Sequence, residues 1–418
     1  MHNTSKSNML IALVVSANAA LATAAWTSGN EPVPPDGTDL GDAFRRFVTL
    51  KQVEIRRVSS AFGVDKPSEV QTFIAAIESR KWRLAEKSYE EYRFVKARNM
   101  DIASGSLSAG LQDISGVVEL MAKWASEPMD VYVQESLRDI PAGSVIFGGT
   151  DQGRFFNIYG SLLTRSGEVM VVTQNALADV TYSEYIRVAH SNRLTMYTTN
   201  EASATYARFV TDVKSGRRAR SFLRSVKGQE QVSGVDAVME INGMLAEIVF
   251  ERNRSNHAFF VEESYVIPWM YAYLTPHGLI MKLNSAPLAV LPQESITADQ
   301  AYWAKIESRL LSMPSFVTNV TARQAFAKSR CAIAGIYAFR KTDATAEQAF
   351  RQALRLDPTS IEGCFRLASF LRERGKIDQA VEVVKANIKA CEQEKVTVAE
   401  QVFDLLRSLR AQNKGRDQ

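Results

Sequence analysis

The amino-acid sequence predicts an α/β protein, with an open, mostly parallel sheet between an N-terminal helical segment and an all-α C-terminal region. Three observations predict this order. Apolar residues recur at helical spacing before residue 127, and short β-rich runs alternate with helical stripes over residues 128–290. A pattern of paired helices recurs after residue 322. The length of 418 residues is enough for two or three domains.

Composition excludes several classes of protein. With 46% hydrophobic and 23% charged residues, the chain is globular rather than disordered. A net charge of +4 without a dominant basic patch predicts no nucleic-acid partner. The 3 cysteines form no CxxC motif, and none of the 4 histidines has metal-ligand spacing to another histidine or cysteine. The sequence therefore predicts no disulfide framework, metal or cofactor.

The N-terminus has the pattern of an export signal. Lys6 precedes an uncharged run over residues 9–25, which contains the small-x-small sequence Ala22-Thr23-Ala24. The first 25 residues are therefore predicted to be a cleaved signal, with a retained membrane anchor as the alternative. Pro-rich residues 26–39 form a linker. The rest of the chain is expected to be exported, either periplasmic or anchored facing the periplasm.

A helical region is predicted over residues 40–127. Phe44, Phe47 and Val48 begin an apolar stripe at spacings of three and four residues. Residues 68–95 contain neither glycine nor proline, and their pattern indicates two helices broken near Ser79-Arg80.

The α/β domain is predicted over residues 128–290. The runs "SVIF" and "EVMVVT" flank a helix over residues 154–165, and a strand–helix–strand unit of this length requires parallel strands. Further elements are predicted in chain order: a third β-rich run over 194–198, helices over 202–213 and 235–251, a strand over 257–261 and an edge strand over 277–284. Together they predict a Rossmann-like sheet with helices on both faces.

A linking helix over residues 291–321 leads into a repeat over residues 322–393. Ala346, Phe350, Ala353 and Pro358 stand at offsets 0, 4, 7 and 12, which is the second-helix pattern of a tetratricopeptide repeat. Ala380 follows Ala346 by 34 residues. The first-helix positions of the second repeat include Leu367, and Asn387 stands where the pattern has alanine.

Two such repeats cannot bury their stacked faces alone. They are therefore expected to pack on the linking helix or on the α/β domain. Residues 394–418 are predicted to form a C-terminal helix and a polar tail.

The Gly-rich loop over residues 148–154 resembles a phosphate loop in position but not in composition. No lysine follows Gly153, and the loop lacks the GxGxxG pattern, so a nucleotide site is not predicted. Polar residues here and in the loop over 174–182 should instead meet at the carboxyl edge of the sheet. The candidate ligand-binding residues are Thr150, Asp151, Arg154, Asn175, Asp179 and Tyr182.

Carboxylates, amides and an aromatic ring suit sugar hydroxyls or a cation. The alternative is that Thr150 or Asp151, and Asp179 or Thr181, cap the helices that follow. Trp269 and His277 lie in an aromatic segment that could stack on a sugar ring or belong to the core.

A basic segment over residues 214–227 contains no acidic residue. It is predicted to be a solvated loop, with contact to an anionic polymer or lipid headgroups as the alternative.

Four blocks carry a resemblance to a known group of proteins: "IPAGSVIFGGTDQGRF", "VVTQNALADVTY", "GVDAVMEINGMLAEIVFERN" and "FFVEESYVIPWMYAYLTPHGLIMKLN". They resemble exported or membrane-anchored bacterial proteins of planctomycete and verrucomicrobia type that carry C-terminal tetratricopeptide repeats. More distantly, residues 141–284 are similar to the soluble C-terminal part of multi-pass proteins grouped with protein O-mannosyltransferases.

In that distant group the chemistry resides in membrane helices for which this chain has no counterpart, so the catalytic residues have no positions to map onto. The resemblance implies an architecture, a compartment and a link to glycans. The predicted function is therefore that of an exported, non-enzymatic accessory protein that binds a protein partner through its repeats and takes part in envelope glycan or glycoprotein assembly. The alternative is an enzyme acting on a sugar or phosphosugar, with Asp151 and Asp179 in its active site.

Overall fold

The computed structural model describes residues 33–63, 68–99, 102–149, 152–164, 168–191, 193–226, 229–263 and 266–414. The predicted signal over residues 1–25 lies outside the described residues. The described chain is mostly helical and contains a small mixed sheet of five strands, so the predicted α/β class is confirmed at this level.

The chain divides into two compact units, of which the first comprises residues up to Lys123 together with Asp139–Phe259 and Ile267–Trp269. Its helices are α1 (Gly41–Phe62), α2 (Ser68–Glu78), α3 (Trp82–Asn99), α4 (Ile102–Lys123), α6 (Gln152–Thr164), α7 (Val180–Ala189), α8 (Thr199–Lys214) and α9 (Val235–Asn253). Its strands are β1 (Val145–Gly148), β2 (Met170–Thr173), and the hairpin of β3 (Leu223–Val226) and β4 (Gln229–Val232).

The helices of this unit follow the predicted apolar stripes. In α1, Phe44, Phe47 and Val48 are buried, as their spacing indicates. The predicted break between α2 and α3 is confirmed, since Arg80 has a positive φ of 56° that no helix interior accommodates. Helices α4 and α6 approach closely at Gly116, where a Cβ atom would lie 2.3 Å from the Phe155 ring.

The second unit comprises Trp124–Arg138, Phe260–Val266 and residues from Met270 onward. It contains α5 (Ser126–Ser136), most of β5 (Phe259–Glu262), β6 (Leu274–His277), β7 (Ile280–Leu283), α10 (Gln293–Leu311), the short α11 (Pro314–Val317), α12 (Val320–Phe339), α13 (Asp343–Leu356), α14 (Ile361–Glu373), α15 (Ile377–Gln393) and α16 (Glu400–Lys414).

The five-stranded sheet has the order β2-β1-β5-β7-β6. Strands β1 and β2 pair in parallel, with Val145 opposite Met170, so the predicted strand–helix–strand unit β1–α6–β2 is confirmed. All four residues of each strand are buried, as expected for a parallel pair covered on both faces.

Three details of the sheet differ from the prediction. The sheet is mixed, because β6 and β7 form an antiparallel pair at one edge. Strand β7 is internal rather than an edge strand, and the edge position belongs to β6, where Pro276 has no N–H to donate to a further strand. The run over residues 194–198 is not a strand. Its Thr195 N–H donates to Asn253, and its Thr198 caps α8 together with Glu201.

Helices α12 and α13 pack on α10 through a buried polar cluster in the second unit. Arg330 Nη1 lies 2.7 Å from Asp299 Oδ2, and the Tyr337 hydroxyl donates to the same oxygen at 2.7 Å. Gln352 accepts from Arg330 Nε at 2.7 Å and donates to the Trp303 carbonyl oxygen. The expected packing of the C-terminal helices on the linking helix is therefore confirmed.

Candidate functional site

The loop after β1 holds three predicted site residues, of which Thr150 and Asp151 lie outside the described residues. The third, Arg154, is only 4% exposed. Its Nη1 donates to Thr173 Oγ1 at 2.8 Å, and its guanidinium lies over the Phe155 ring. Within the described ranges, no carboxylate lies at ion-pair distance from Arg154 and its Nε has no hydrogen-bond partner. Arg154 thus points into the unit at the end of β2.

The loop after β2 is closed by its own hydrogen bonds. Asn175 lies in a 3-10 turn, and its carbonyl oxygen accepts from Asn242 Nδ2 at 2.8 Å, while Asn242 Oδ1 accepts from the Ala178 N–H at 2.7 Å. Asp179 is the N-cap of α7, and its Oδ1 accepts from both the N–H and the hydroxyl of Thr181 at 2.8 Å. The carboxylate of Asp179 is therefore used in the local fold, in the manner of the capping alternative.

Tyr182 is the residue that connects this loop to β2. Its hydroxyl accepts from the Thr173 N–H at 2.6 Å, and burial raises its pKa. The structure thus brings two predicted site residues, Arg154 and Tyr182, to the same Thr173, whereas Asp179 faces its own helix.

The two aromatic candidates have structural partners. Trp269 Nε1 donates to the Gly243 carbonyl oxygen at 3.0 Å, and its ring packs against Phe250. His277 Nε2 lies 3.1 Å from the Arg138 carbonyl oxygen, and its ring packs against Phe260. Trp269 belongs to the first unit and His277 to the second. Both side chains are half-buried, and each makes a hydrogen bond and a ring contact within its own unit.

Four cations of the basic segment pair with carboxylates from elsewhere in the chain. Arg217 and Arg218 pair with Asp212, and Arg220 pairs with Glu230. Lys214 also pairs with Glu230, at 2.8 Å. Arg218 also pairs with Glu240, so these four cations face three carboxylates.

The predicted repeat residues lie where paired helices cross. Ala346, Ala353 and Ala380 are fully buried, and Leu367 is 1% exposed. The Phe350 ring packs against Phe370 at 5.6 Å. Pro358 lies in the turn between α13 and α14 and is exposed.

Asn387, which departs from the repeat pattern, binds this turn. Its Nδ2 donates to the carbonyl oxygens of Pro358 at 2.8 Å and Ser360 at 3.3 Å. The turn is further held by buried Asp357, which accepts from the Thr359 hydroxyl. The substitution of asparagine for alanine therefore has a structural reason that the pattern alone could not give.

A second polar cluster, absent from the predictions, lies in the first unit. Lys51 Nζ lies 2.7 Å from Asp113 Oδ2, 2.9 Å from Glu54 Oε1 and 2.9 Å from the Tyr185 hydroxyl oxygen. The Tyr185 hydroxyl also lies within hydrogen-bond distance of Glu54 and, at 3.1 Å, of Asp113, and its single proton can be donated to either carboxylate. These four residues line a cavity, and His190 lies beside them on its wall.

Burial and neighbouring charges set the protonation of this cluster. Burial alone would lower the pKa of Lys51, but Asp113 and Glu54 raise it above its ordinary value. Burial would raise the pKa of Glu54, but Lys51 lowers it. Burial lowers the pKa of His190 to about 4, so its imidazole is neutral at physiological pH. The ammonium of Lys51 and the carboxylate of Glu54 thus persist beside a neutral histidine.

One sequence signal could have identified this cluster. Lys51 falls on the buried stripe of α1, between Val48 and Ile55, where an apolar residue is expected. A lysine at such a position requires a buried partner, because an unpaired charge is costly to bury. Glu54 lies three residues from Lys51 on the same helix, but the other two partners could not be read from the sequence, since Asp113 and Tyr185 are 62 and 134 residues away.

Two features of the described ranges concern membranes and metals. No helix in them is both long and apolar enough to cross a bilayer. No three histidine, cysteine, aspartate or glutamate side chains in them lie together as metal ligands. The cysteines Cys331, Cys364 and Cys391 are buried as free thiols.

Comparisons with protein-family models, with curated proteins and with solved structures find no match to this chain. The residues and their geometry are therefore the basis for any functional conclusion.

Proposed function

We propose that this protein is an exported accessory protein whose C-terminal helices form tetratricopeptide repeats that bind a protein partner. One observation carries the proposal: helices α13 and α15 begin at Asp343 and Ile377, one 34-residue repeat apart, and each buries an alanine completely at the equivalent position. Small residues at these crossings let the paired helices approach closely. Stacked repeats of this kind form extended surfaces that bind partners.

The proposal also includes a Rossmann-like fold for the sheet and a link to envelope glycan or glycoprotein assembly. The parallel β1–α6–β2 unit supports the first of these. The second rests on the resemblance in sequence alone.

The partner-binding face we propose is the polar side of α14. Glu362, Arg366 and Ser369 recur at spacings of four and three residues, so they share one face of this helix. All three are half-buried, whereas Leu367 and Leu371 on the other side belong to the core. The ion pair between Arg366 Nε and Glu362 Oε1, at 2.8 Å, lies on this face.

The experiment compares two tryptophan substitutions in the tagged full chain. Ser369→Trp obstructs the proposed face, and Lys389→Trp places the same side chain at an exposed position of α15. Each variant is incubated with envelope extract, and retained proteins are quantified by mass spectrometry. A partner should be retained by wild type and by Lys389→Trp but not by Ser369→Trp. Equal retention by both variants, or no protein enriched over untagged beads, would refute binding at this face.

Export is tested separately. The proposal that the protein is periplasmic, or anchored facing the periplasm, rests on the uncharged run over residues 9–25. Intact-mass measurement of the protein from the envelope fraction should give a chain that begins near Ala25, or a full-length chain in the membrane pellet if the segment is retained as an anchor. A full-length chain in the cytosol would exclude both forms.

A further inference from the structure

One feature of the first unit that the fold does not explain is a cavity of about 210 Å³ beside Lys51. Helices α1, α6 and α7 and strand β2 contribute to its lining. Its walls are mainly apolar and include Leu50, Ile158, Leu162, Val171 and Ile186. An engineered cavity of about 150 Å³ is known to hold benzene, so this one can hold a six-membered ring with a short substituent.

The ammonium at the floor of the cavity has no N–H donor left for a ligand. All three N–H donors of Lys51 are taken, by Glu54, Asp113 and the Tyr185 hydroxyl. One ammonium and two carboxylates leave one net negative charge there. An anionic group would therefore be repelled from the floor.

The mouth of the cavity has the opposite charge. Arg57 and Arg193 line the cavity and are exposed. Each donates to a backbone carbonyl oxygen, Arg57 to Ala189 at 3.3 Å and Arg193 to Glu168 at 2.8 Å. Neither guanidinium has a carboxylate at ion-pair distance among the residues that the structure describes. Two positive charges at the mouth are thus available to an external anion.

His190 adds a polar group to the same wall. Its ring makes no hydrogen bond to any described residue, and it lines the cavity together with both arginines. The ring can therefore donate to or accept from a bound molecule.

We propose that this cavity binds a small organic acid, with its ring or short chain against the apolar walls and its single carboxylate held at the mouth by Arg57 and Arg193. Guanidinium groups bind carboxylates through paired, charge-assisted hydrogen bonds, which suits this head group. The net negative floor fixes the orientation, since the reversed molecule would place its carboxylate against Glu54 and Asp113. The binding site is independent of the partner-binding role proposed for the C-terminal helices.

The test uses the full chain labelled for NMR of its histidine rings, with benzoate, phenylacetate and hexanoate as probes and their amides as neutral counterparts. The carboxylates should shift the ring resonances of His190 in a saturable manner, and the amides should bind about tenfold more weakly or not at all. His257 in the same unit provides an internal control, because its ring does not line the cavity.

Two kinds of variant separate the charge from the cavity. Arg57→Gln with Arg193→Gln should weaken carboxylate binding by about tenfold or more, while Arg56→Gln, at an exposed neighbour outside the cavity, should leave it unchanged. Leu162→Trp should abolish binding by filling the cavity while both arginines remain. The proposal is overturned if no carboxylate shifts His190, if amides bind as tightly, or if the double variant binds like wild type.

Discussion

The two units each bury a basic side chain beside a carboxylate and a tyrosine, but they do so in different surroundings. In the second unit the side chains of Arg330 and Asp299 are 2% and 1% exposed. In the first unit Lys51 has a second carboxylate, and the side chain of that residue, Glu54, is 16% exposed on the wall of a cavity. The cluster in the second unit holds helices together, whereas the cluster in the first unit leaves polar groups within reach of a ligand. A buried ion pair alone therefore does not indicate a functional site, and access to it has to be examined.

The difference in stability between the two clusters is tested most directly by removing one carboxylate from each. Asp299→Ala leaves Arg330 charged and without its carboxylate, which costs about 3–5 kcal/mol in a buried pair. Asp113→Ala should cost less, because Glu54 still pairs with Lys51 and the cavity can admit water. Urea unfolding followed by hydrogen exchange in each unit measures both free energies. Arg355, which is exposed and pairs with Glu307, provides a control: Arg355→Ala should cost at most about 1 kcal/mol. An equal loss for Asp299→Ala and Asp113→Ala would contradict the contrast between the clusters.

A second contrast concerns pH, because the second unit also contains the buried acid Glu262, which has no basic side chain at ion-pair distance among the residues that the structure describes. Burial, with the adjacent Glu263, raises the pKa of Glu262 to about 8, although the Tyr132 hydroxyl donates to it at 2.8 Å. A raised folded-state pKa gives stability that is complete below the ordinary value near 4.5 and is lost as the pH rises toward 8. The loss can reach about 1.4 kcal/mol per pH unit.

Glu262→Gln should flatten this dependence between pH 5 and pH 8, as followed by hydrogen exchange in α5 and α12. The exposed Glu373→Gln should retain the wild-type slope. A wild-type slope in Glu262→Gln would mean that another group titrates.

Enlarging a buried alanine of the repeats should give a loss of stability of intermediate size. Ala346 is fully buried at a helix crossing, and enlarging it should destabilise the C-terminal helices by about 1–3 kcal/mol. Ala344 lies on the same helix and is exposed, so Ala344→Leu should change stability by less than about 0.5 kcal/mol. Thermal melts and partner retention, measured for both variants, compare a buried position with an exposed position of the same helix. Identical melts for Ala346→Leu and wild type would show that the register is wrong.

The smallest expected loss of stability is at Asp179, where two substitutions distinguish a helix cap from an active-site carboxylate. Asp179→Ala should cost about 1 kcal/mol, since it removes the N-cap of α7. Asp179→Asn should restore most of that stability, because asparagine is an equally good N-cap. If Asp179 were instead an acid, a base or a cation ligand, the asparagine variant would be as deficient as alanine in sugar or cation binding measured by calorimetry. Such a result would revive the enzyme alternative.

Local patterns in the sequence were sufficient for much of the fold. The spacing of Phe44, Phe47 and Val48 predicted the buried face of α1, and the β–α–β run predicted the parallel pair β1–β2. The C-terminal helix pairs followed from the spacing of Ala346 and Ala380. These predictions were possible because helical period, strand period and crossover length depend on residues close together in the chain.

What only the tertiary structure decided is where distant polar groups meet. The sequence pointed to Asp179 and Tyr182 but could not tell a cap from a ligand, because that depends on which backbone N–H the carboxylate reaches. It gave no indication that Asp113 would pair with Lys51, since contacts between helices far apart in the chain leave no periodic trace. The strand order was underdetermined for the same reason: β6 occupies the edge because of pairings made across the sheet. Position along the chain determines the elements, and packing determines which of their charged groups share a cavity.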